Sequence, residues 1–446
     1  MFSIAKKYCL INTEGPVMPI QKTQKPLEIS YAILLSTLLI NQCFASEEEC
    51  TNLYEHHQYS GQVFSLCSND GVSQDFFGNQ HFADDSITSI QLAPGHALEA
   101  CEEPDGNGVC RTYYDSTANV GEELNDTFSY ARLIQFNYRD FYMAFMSDPQ
   151  YPWSCKTSNE SCDDQNKAWR ENTNHIQSLN ALMTDLGKEQ LAGVVINGDL
   201  TAFGHDWQFN AYQELYHKQL QMNVYPGLGN HDISNNVNDC FVNNCASRMM
   251  LYLKDHVRTL NVRSFDYHDS GTYYEFPSLK RKYSKSFAYS WDIGDIHFVQ
   301  LNNYPTYKNH WNGWNFGKAR RDYFNIQSAR DWLINDLEQA SNEGKHIILN
   351  YHISGFTNDI KDILRKYKIS AVFAGHLHSY VGLVNFHTLW NFYGPGQHLP
   401  VFLGGAAVFQ KYMLVRFKED FFEVSIVKSS QGANYQLVKE GVYPLY

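Results

Sequence analysis

Four short apolar runs in this chain each end at a polar side chain that can bind a metal. The runs end at Asp148, at Asp199, at His352 and at the pair His376 and His378. Short apolar runs bounded by turn residues are typical of buried strands. Helical patterns lie between these runs, so the chain is predicted to form an α/β sheet. In such sheets, polar residues at the carboxyl ends of the strands lie close together.

A fifth segment, Gly-Asn-His-Asp at 229–232, follows another apolar run, and Gln150 stands two residues after Asp148. Carboxylates, imidazoles and amide oxygens in this combination suit two adjacent divalent metals that share one carboxylate. Taken singly, these residues also have structural interpretations. His352 fits a packed core histidine, Asp199 fits a turn, and Asn230 fits a helix cap.

In this order, the five segments resemble the calcineurin-like metallophosphoesterase superfamily. The resemblance covers residues 137–446 and implies a four-layer α/β/β/α sandwich in an α/β (α+β) fold. It also implies hydrolysis of a phosphate ester by a hydroxide that bridges two divalent metals. By that resemblance, one metal is held by Asp148, Asp199 and His378 with Gln150 beside them, and the other by Asp199, Asn230, His352 and His376. His231 is then the general acid or transition-state stabiliser, and Asp232 orients it.

Position 150 departs from the family pattern, because glutamine stands where histidine is usual. An amide oxygen is a harder and weaker ligand than imidazole, so it favours manganese, iron or magnesium over zinc. The identity of the two metals (Mn, Fe, Zn or Mg) stays open at this stage.

Three functions are compatible with these motifs. The leading one is a phosphomonoesterase, and the first alternative is a phosphodiesterase or diphosphatase acting on nucleotides or phospholipid headgroups. The second alternative is a non-catalytic surface-binding or adhesion protein whose phosphoesterase fold has lost its activity. The formal net charge of −13 and the lack of a basic stripe argue against binding to a nucleic-acid duplex.

Residues 1–45 read as a secretory signal peptide. Lys22 and Lys25 precede the apolar run from Ile29 to Ile40, and small residues precede a cleavage site after Ala45. The run is too short for a transmembrane anchor. The chain is therefore predicted to be secreted, in the periplasm or outside the cell.

Eight cysteines follow the predicted signal peptide, and an even number in an exported chain implies disulfide bonds. Connectivity cannot be read from spacing, although pairing between near neighbours is the simplest arrangement. The near neighbours are Cys50 and Cys67, Cys101 and Cys110, Cys155 and Cys162, and Cys240 and Cys245.

Residues 46–136 differ from the rest, with short apolar alternations and a loose internal repeat. This segment resembles microbial βγ-crystallin domains, which are all-β Greek-key modules that bind calcium. Tyr54, Tyr59 and Gly61 match the hairpin corner of that family. The resemblance implies two calcium motifs, one with Asp84, Asp85, Thr88 and Ser89, the other with Asn125, Asp126 and Ser129; Tyr130 departs from the pattern.

Oxygen-rich loops suit Ca²⁺, but the same residues also form ordinary polar turns. The module is also a candidate for contact with a surface or a glycan. Two further aromatic stretches, 267–276 and 302–314, are candidates for pocket walls, with packing over sheet edges as the alternative.

Overall fold

The structure is a computed structural model that describes residues 50–67, 73–76, 84–121, 124–157 and 159–446. The predicted signal peptide, 1–45, lies outside the described residues. None of the described helices combines the length and the apolarity that a membrane span requires.

The N-terminal module consists of seven short strands in two antiparallel sheets. One sheet has the order β2-β1-β4 and the other has the order β3-β7-β5-β6. Its core is small and contains the buried side chains of Leu53, Phe76, Ile87, Leu98 and Phe128. The strands are β1 Cys50–His56, β2 Ser60–Cys67, β3 Ser73–Asp75, β4 Ser89–Gln91, β5 His96–Glu103, β6 Asn107–Tyr113 and β7 Tyr130–Gln135.

The two sheets exchange segments in a symmetrical way. Strand β3, from the first half of the module, pairs with β7 of the second half. Residue Thr117, from the second half, forms a bridge with Ile90 in β4 of the first half. Each half therefore supplies one segment to the sheet of the other, so the internal repeat predicted from the sequence is present as two interlocked Greek-key units.

Residues 140–446 form a mixed α/β region. Its strands are β8 Asp140–Met146, β9 Leu191–Asn197, β10 Val224–Gly227, β11 Ser264–Phe265, β12 His268–Asp269, β13 Tyr273–Glu275, β14 Ser278–Lys285, β15 Tyr289–Ile293, β16 Ile296–Gln300, β17 Asn309–Asn315, β18 Arg320–Ile326, β19 His346–Asn350, β20 Ala371–Ala374, β21 Val381–Leu383, β22 Leu389–Gly394, β23 Gln397–Leu399, β24 Val401–Gly404, β25 Lys411–Lys418, β26 Phe421–Ser429 and β27 Tyr435–Pro444. Its α-helices are α1 Gln165–Leu186, α2 Asp206–Gln213, α3 Asn244–Val257, α4 Arg330–Asn342 and α5 Asn358–Lys366.

Two large sheets organise this region. The six-stranded sheet has the order β10-β9-β8-β25-β26-β27, and the seven-stranded sheet has the order β11-β15-β16-β19-β20-β24-β21. Strands β10, β9 and β8 are parallel to one another. Strands β16, β19, β20 and β24 are also parallel. Each sheet thus has a parallel part in which the carboxyl ends of neighbouring strands share one edge.

Aromatic side chains pack between the two sheets. The ring of Phe145 in β8 stacks on that of Phe373 in β20, with centroids 4.0 Å apart. Tyr225 in β10 stacks on Trp291 in β15 at 4.2 Å. Offset stacking of buried rings adds to the hydrophobic gain from burial. These contacts hold the two sheets face to face and thereby bring the ends of their strands together.

The helices cover the sheets by burying an apolar face. Leu333 of α4 and Ile363 of α5 pack with Leu349 on one face of the seven-stranded sheet. The neighbouring residue in β19, Ile348, packs in the core between the sheets, as expected from the alternation of side chains in a strand. Helix α1 begins after Asp164, whose side chain accepts a hydrogen bond from the Lys167 N–H.

The N-terminal module is part of the same compact unit as the α/β region. Thr112 and Asn223 exchange two hydrogen bonds, at 3.1 and 2.7 Å. The hydroxyl of Tyr114 donates to the Ala192 carbonyl at 3.0 Å, and its ring belongs to the core of the α/β region. The module therefore packs directly on the edge of the six-stranded sheet.

The simplest pairing of cysteines is confirmed. The four disulfides join Cys50 to Cys67, Cys101 to Cys110, Cys155 to Cys162 and Cys240 to Cys245. The first two close hairpins of the N-terminal module, and the last two close short loops of the α/β region.

Candidate metal centre

The polar residues predicted at strand ends come together in the structure. Asp148 and Asp199 follow β8 and β9, which are neighbours in the six-stranded sheet. His352 and His376 follow β19 and β20, which are neighbours in the seven-stranded sheet. Because the two sheets pack face to face, the four strand ends form one polar cluster.

The first half of the cluster contains Asp148, Asp199 and His378. One ligand atom of each lies within 4.8 Å of the other two. The Nε2 atom of His378 is 3.3 Å from Asp148 Oδ1. Both carboxylates are almost fully buried, at 2% and 0% exposure. Two buried carboxylates beside an imidazole are an unfavourable arrangement unless a cation balances them.

The second half contains Asp199 again, with His352 and His376. The Nδ1–H of His352 donates to the Asn197 carbonyl at 2.7 Å, so Nε2 is the nitrogen that faces the cluster. Its Nε2 lies 3.1 Å from Asp199 Oδ2 and 3.0 Å from Asn230 Oδ1. In the neutral imidazole this nitrogen is a lone-pair donor that faces two oxygen donors, which is the arrangement of ligands around a metal ion. The donor set therefore fits two divalent cations that share Asp199.

Gln150 lies inside this cluster and is 1% exposed. Its Nε2 is 3.5 Å from Asp199 Oδ2, whereas its Oε1 accepts no hydrogen bond from any described residue. A buried amide oxygen without a donor is costly, and a cation would satisfy it. The side chain that departs from the family pattern is therefore placed where it can act as an oxygen ligand.

The backbone at the centre is strained at the ligands themselves. Asp148, Gln150, Asp199 and His376 all have positive φ angles, of 51°, 41°, 50° and 72°. Such angles are uncommon for residues other than glycine and cost on the order of 1–3 kcal/mol each. They persist because the loops hydrogen-bond to one another; for example, the Asp148 N–H donates to the Gly198 carbonyl at 3.0 Å.

The glycine of the 229–232 segment allows two of these loops to approach closely. A Cβ atom at Gly229 would lie 2.2 Å from Asp199 Oδ1 and 2.6 Å from the Asp199 nitrogen. Any larger residue would push the shared carboxylate out of the cluster. The requirement for glycine here is thus steric, set by the position of Asp199.

The charges of the cluster shift the pKa values of its histidines in opposite directions. Burial lowers the pKa of His352, but the Asp199 carboxylate outweighs it and raises the pKa to about 9. Burial also opposes the charged form of His378, and Asp148 raises its pKa above the ordinary value. By contrast, burial and the neighbouring His352 lower the pKa of His376. The raised pKa values of His352 and His378 reflect the negative charges of Asp199 and Asp148, which suit the binding of cations.

His231 lies at the rim of the cluster. Its backbone N–H donates to Asp199 Oδ1 at 2.8 Å, and its Nδ1–H donates to the Ala202 carbonyl at 2.7 Å. The ring nitrogen Nε2 is therefore the one available to a bound molecule. This position is consistent with the predicted role of His231 in proton transfer.

Asp232 is expected from the sequence to orient His231, whereas in the structure the ring of His231 is held by the Ala202 carbonyl. Asp232 is fully buried and accepts hydrogen bonds from the backbone N–H groups of Gly229, Leu200 and Thr201, and from the Thr201 hydroxyl. Burial and the Asp199 charge raise its pKa to about 7, although these hydrogen bonds oppose the shift. Asp232 thus holds the 199–201 and 229–232 loops together.

One residue beside the centre, Trp153, is not predicted from the sequence to belong to it. The ring of Trp153 lies edge-on to His231 at 5.7 Å and to His378 at 6.0 Å. Its only sequence signal was its place five residues after Asp148, in the loop that carries the first ligand. A tryptophan in such a loop is not distinguishable by pattern from one that packs in the core.

A cavity of about 450 Å³ lies beside His376 and His378. Its walls include Trp153, Tyr380 and Phe409, and Lys156 lies at its edge. The Cys155–Cys162 disulfide closes the loop that carries Lys156. The cavity offers aromatic walls and a single cation next to the two predicted metal positions.

The aromatic stretches predicted as pocket walls do not line this cavity, although the 302–314 stretch begins beside the centre, where the Asn303 carbonyl accepts a hydrogen bond from the His352 N–H at 3.0 Å. Tyr273 and Tyr274 are in β13 of a separate small sheet with the order β12-β14-β18-β17, to which β13 adds by pairing with β14. Trp311 packs in the core against Phe324 at 5.0 Å. Trp314 does line a cavity, but this cavity contains none of the predicted metal ligands.

The two predicted calcium motifs face each other in the N-terminal module. The Thr88 hydroxyl donates to Asn125 Oδ1 at 2.7 Å, and the Ser129 hydroxyl donates to Asp85 Oδ1 at 3.4 Å. Burial and the neighbouring Asp84 raise the pKa of Asp85. Ser89 is used differently, since its hydroxyl donates to the His56 carbonyl at 2.6 Å.

Comparison with protein families identifies the α/β region. The model of the calcineurin-like phosphoesterase family matches residues 142–380, which include His231 and all the residues predicted to hold the two metals of the phosphoesterase site. The chain therefore belongs to the calcineurin-like phosphoesterases and is a metal-dependent phosphoesterase. No protein of curated function matches the chain.

Several solved structures are similar to a smaller part of the chain. A βγ-crystallin domain from Clostridium beijerinckii is 22% identical, and the match covers 19% of this chain and 95% of that one, with a TM-score of 0.18. A βγ-crystallin domain from Flavobacterium johnsoniae is 16% identical, with 19% and 93% covered and a TM-score of 0.18. The N-terminal domain of protein S is 15% identical, with 19% and 96% covered and a TM-score of 0.18.

Proposed function

We propose that this protein is an exported dimetal phosphoesterase of four-layer α/β/β/α architecture that prefers phosphate monoesters. The observation that carries the proposal is the pair of clusters that share Asp199, one with Asp148 and His378 and the other with His352 and His376. The four disulfides support export, because such bonds persist in oxidising compartments.

In this proposal, Asp148, Gln150, Asp199 and His378 hold one metal, and Asp199, Asn230, His352 and His376 hold the other. Two bound divalent ions supply an activated water and neutralise the oxygens of the phosphoryl group. The buried amide oxygen of Gln150 favours manganese, iron or magnesium at the first position.

The role of His231 is to place a proton on the leaving-group oxygen. Its Nδ1–H donates to the Ala202 carbonyl, so Nε2 is the nitrogen that faces the substrate, and the proton on Nε2 of the protonated ring would be the one transferred. The edge of the Trp153 ring packs against His231 and limits its movement. This fixed orientation suits a general acid, which must lie within hydrogen-bond distance of the atom that it protonates.

The preference for monoesters is argued from the cavity beside His378. Its volume of about 450 Å³ is in the range of small-molecule sites, and it offers aromatic walls to one ester arm. A phosphodiester has a second arm, which needs a second surface at the centre. The two alternative functions, a phosphodiesterase or diphosphatase and a non-catalytic binding protein, are tested by the same experiment.

The experiment is an assay of chelator-stripped protein with p-nitrophenyl phosphate and with bis(p-nitrophenyl) phosphate, after Mn²⁺, Fe²⁺, Mg²⁺ or Zn²⁺ is restored. We expect metal-dependent turnover with a preference for the monoester. Trp153→Ala is expected to raise KM for the monoester, whereas Trp390→Ala, an exposed tryptophan elsewhere, leaves it unchanged. Preference for the diester would favour the alternative enzyme, and turnover of neither with metal bound would favour a binding role.

We also propose that the N-terminal module binds Ca²⁺ between its two facing turns. The ligands would come from Asp84, Asp85, Thr88, Asn125, Asp126 and Ser129, with Ser89 supporting the hairpin beside them. A buried Oδ1 of Asp84 that accepts no hydrogen bond from the described residues supports a cation there.

Millimolar Ca²⁺ should raise the melting temperature of the wild-type protein but not that of the double variant Asp85→Ala, Asp126→Ala. Equal shifts in the two proteins would refute the calcium site. Contact of the module with a surface or glycan stays a prediction.

A further inference from the structure

A second cavity lies between the N-terminal module and the α/β region, apart from the metal centre. Its volume is about 610 Å³. Arg111 of β6 lines it from the module side, and Tyr252 and His256 of α3 line it from the other side. Trp314 and Phe316, at and after the end of β17, complete the wall. None of the predicted metal ligands is among its lining residues.

Arg111 is a cation without a carboxylate partner among the described residues. Its Nε donates to the Thr259 hydroxyl at 3.3 Å and its Nη1 donates to the Cys110 carbonyl at 2.9 Å. A guanidinium group has five N–H donors, so these two contacts leave most of its capacity unused. Burying such a cation without an anion is costly.

The acidic residues of the cavity wall are already paired with other cations. Asp255 forms an ion pair with Lys254 at 2.6 Å, and Asp322 forms one with Arg320 at 2.7 Å. The second arginine of the wall, Arg248, is paired with Asp206. Arg111 therefore supplies the unbalanced charge of this cavity.

The histidines of the wall do not supply or remove charge. Burial, followed by the charge of Arg111, lowers the pKa of His217 to about 3, so this ring is neutral at physiological pH. Its Nε2 lies 2.6 Å from the Tyr252 hydroxyl. His256 is held by the Val224 carbonyl, to which its Nε2–H donates at 2.8 Å, and burial also lowers its pKa. The cavity thus combines an arginine that has no carboxylate partner in the described part of the chain with neutral hydrogen-bonding groups and aromatic surface.

We propose that this cavity binds a small organic anion, in which a carboxylate or phosphate group pairs with Arg111 and an aromatic body packs against Tyr252, Trp314 and Phe316. Guanidinium groups bind planar and tetrahedral oxyanions through paired hydrogen bonds, and aromatic pockets bind ring systems. This site is separate from the metal centre and does not depend on the proposed reaction. Its ligand contacts both the module and the α/β region, so binding stabilises their interface.

The test uses calorimetric titration of the purified full-length protein with 2-naphthoate and with neutral 2-naphthamide as probes. We expect 2-naphthoate to bind, and Arg111→Met to weaken it at least about tenfold, in line with the loss of a charge-assisted pair. The matched control is Arg132→Met in strand β7 of the same sheet, whose guanidinium is paired with Glu99 outside the cavity. Arg132→Met should bind 2-naphthoate as the wild type does.

The amide is expected to bind the wild type at least about tenfold more weakly than the carboxylate. This comparison needs no substitution, so it decides the question even where Arg111→Met does not fold. Equal affinity for the two probes, or undetectable binding of 2-naphthoate, would overturn the proposal. Binding that survives Arg111→Met and disappears in Asp199→Ala would place the anion at the metal centre and would also overturn it.

Discussion

The metal centre and the N-terminal module hold their polar loops in different ways. At the centre, strained ligand residues follow buried parallel strands, and the loops lie over a large core in which Phe145 stacks on Phe373. In the module, the facing turns at Asp85 and Asp126 rest on a small core, and two disulfides close its hairpins. A large core can stabilise several strained residues, whereas a small one needs covalent links or bound ions.

The largest effect that this comparison predicts follows substitution of the shared carboxylate. Asp199→Ala should remove both metals and lower kcat/KM by at least about 10³-fold, because each cluster loses a ligand. Asp331→Ala, at an exposed position in α4, is the matched control and should keep full activity. Activity and metal content are measured together, and an active Asp199→Ala protein would remove the basis for a shared ligand.

Substitution of His231 should separate proton transfer from metal binding. His231→Ala is expected to lower kcat by about 10²–10⁴-fold with both metals still bound, since its ring contacts a carbonyl and not the predicted metal positions. The exposed His310→Ala serves as the control. Metal analysis decides this prediction, and loss of an ion from His231→Ala would show that the residue is a ligand.

Removal of a disulfide should lower the stability of the N-terminal module without affecting metal binding at the centre. Replacement of Cys50 and Cys67 by serine removes a disulfide across a sequence separation of 17, which is expected to lower the free energy of unfolding by about 3 kcal/mol. Metal content should stay unchanged, because the centre rests on the other core. Denaturant titration of both proteins measures the first quantity, and metal loss on this change would show that the two regions depend on each other.

The smallest effect concerns a buried histidine in strand β16 of the seven-stranded sheet. His297 contacts Asp292 at 2.6 Å and Asp336 at 3.0 Å; burial opposes its charged form, but these carboxylates raise its pKa above the ordinary 6.5. The charged His297 ring therefore contributes its full stabilisation below about pH 6.5, the pKa of histidine in the unfolded chain. This stabilisation is lost as the pH rises through the higher pKa of His297 in the folded protein.

His297→Gln should accordingly cost most stability below about pH 6.5 and less at higher pH. Melting temperatures from pH 5 to 9 measure this, with the exposed His268→Gln as the control. A cost that does not change with pH would mean that His297 does not carry a charge in the folded protein.

The polar cluster could be predicted from the sequence because each proposed metal ligand lies in a loop that follows a strand. Asp148, Asp199 and His352 are marked by the apolar run before them, and the local pairing of cysteines follows from short spacing. These are local signals. Parallel strand order then brings distant residues together without any further information.

Contacts between loops from different parts of the chain could not be predicted in this way. The position of Trp153 against His231, the use of Asp232 as an acceptor for two loops, and the exposure of Arg111 to a cavity all depend on how separate segments pack. A pattern shows whether a residue is apolar or charged. It does not show which distant backbone group lies opposite.

The central claim is that two metal ions sharing Asp199 give this protein its phosphoesterase activity. The most direct measurement is the rate of p-nitrophenyl phosphate hydrolysis as Mn²⁺ is added to chelator-stripped protein, with bound metal counted at each step. The account predicts that activity rises with occupancy and reaches its maximum at two ions per chain. Full activity in metal-free protein, or a maximum at one ion per chain, would contradict it.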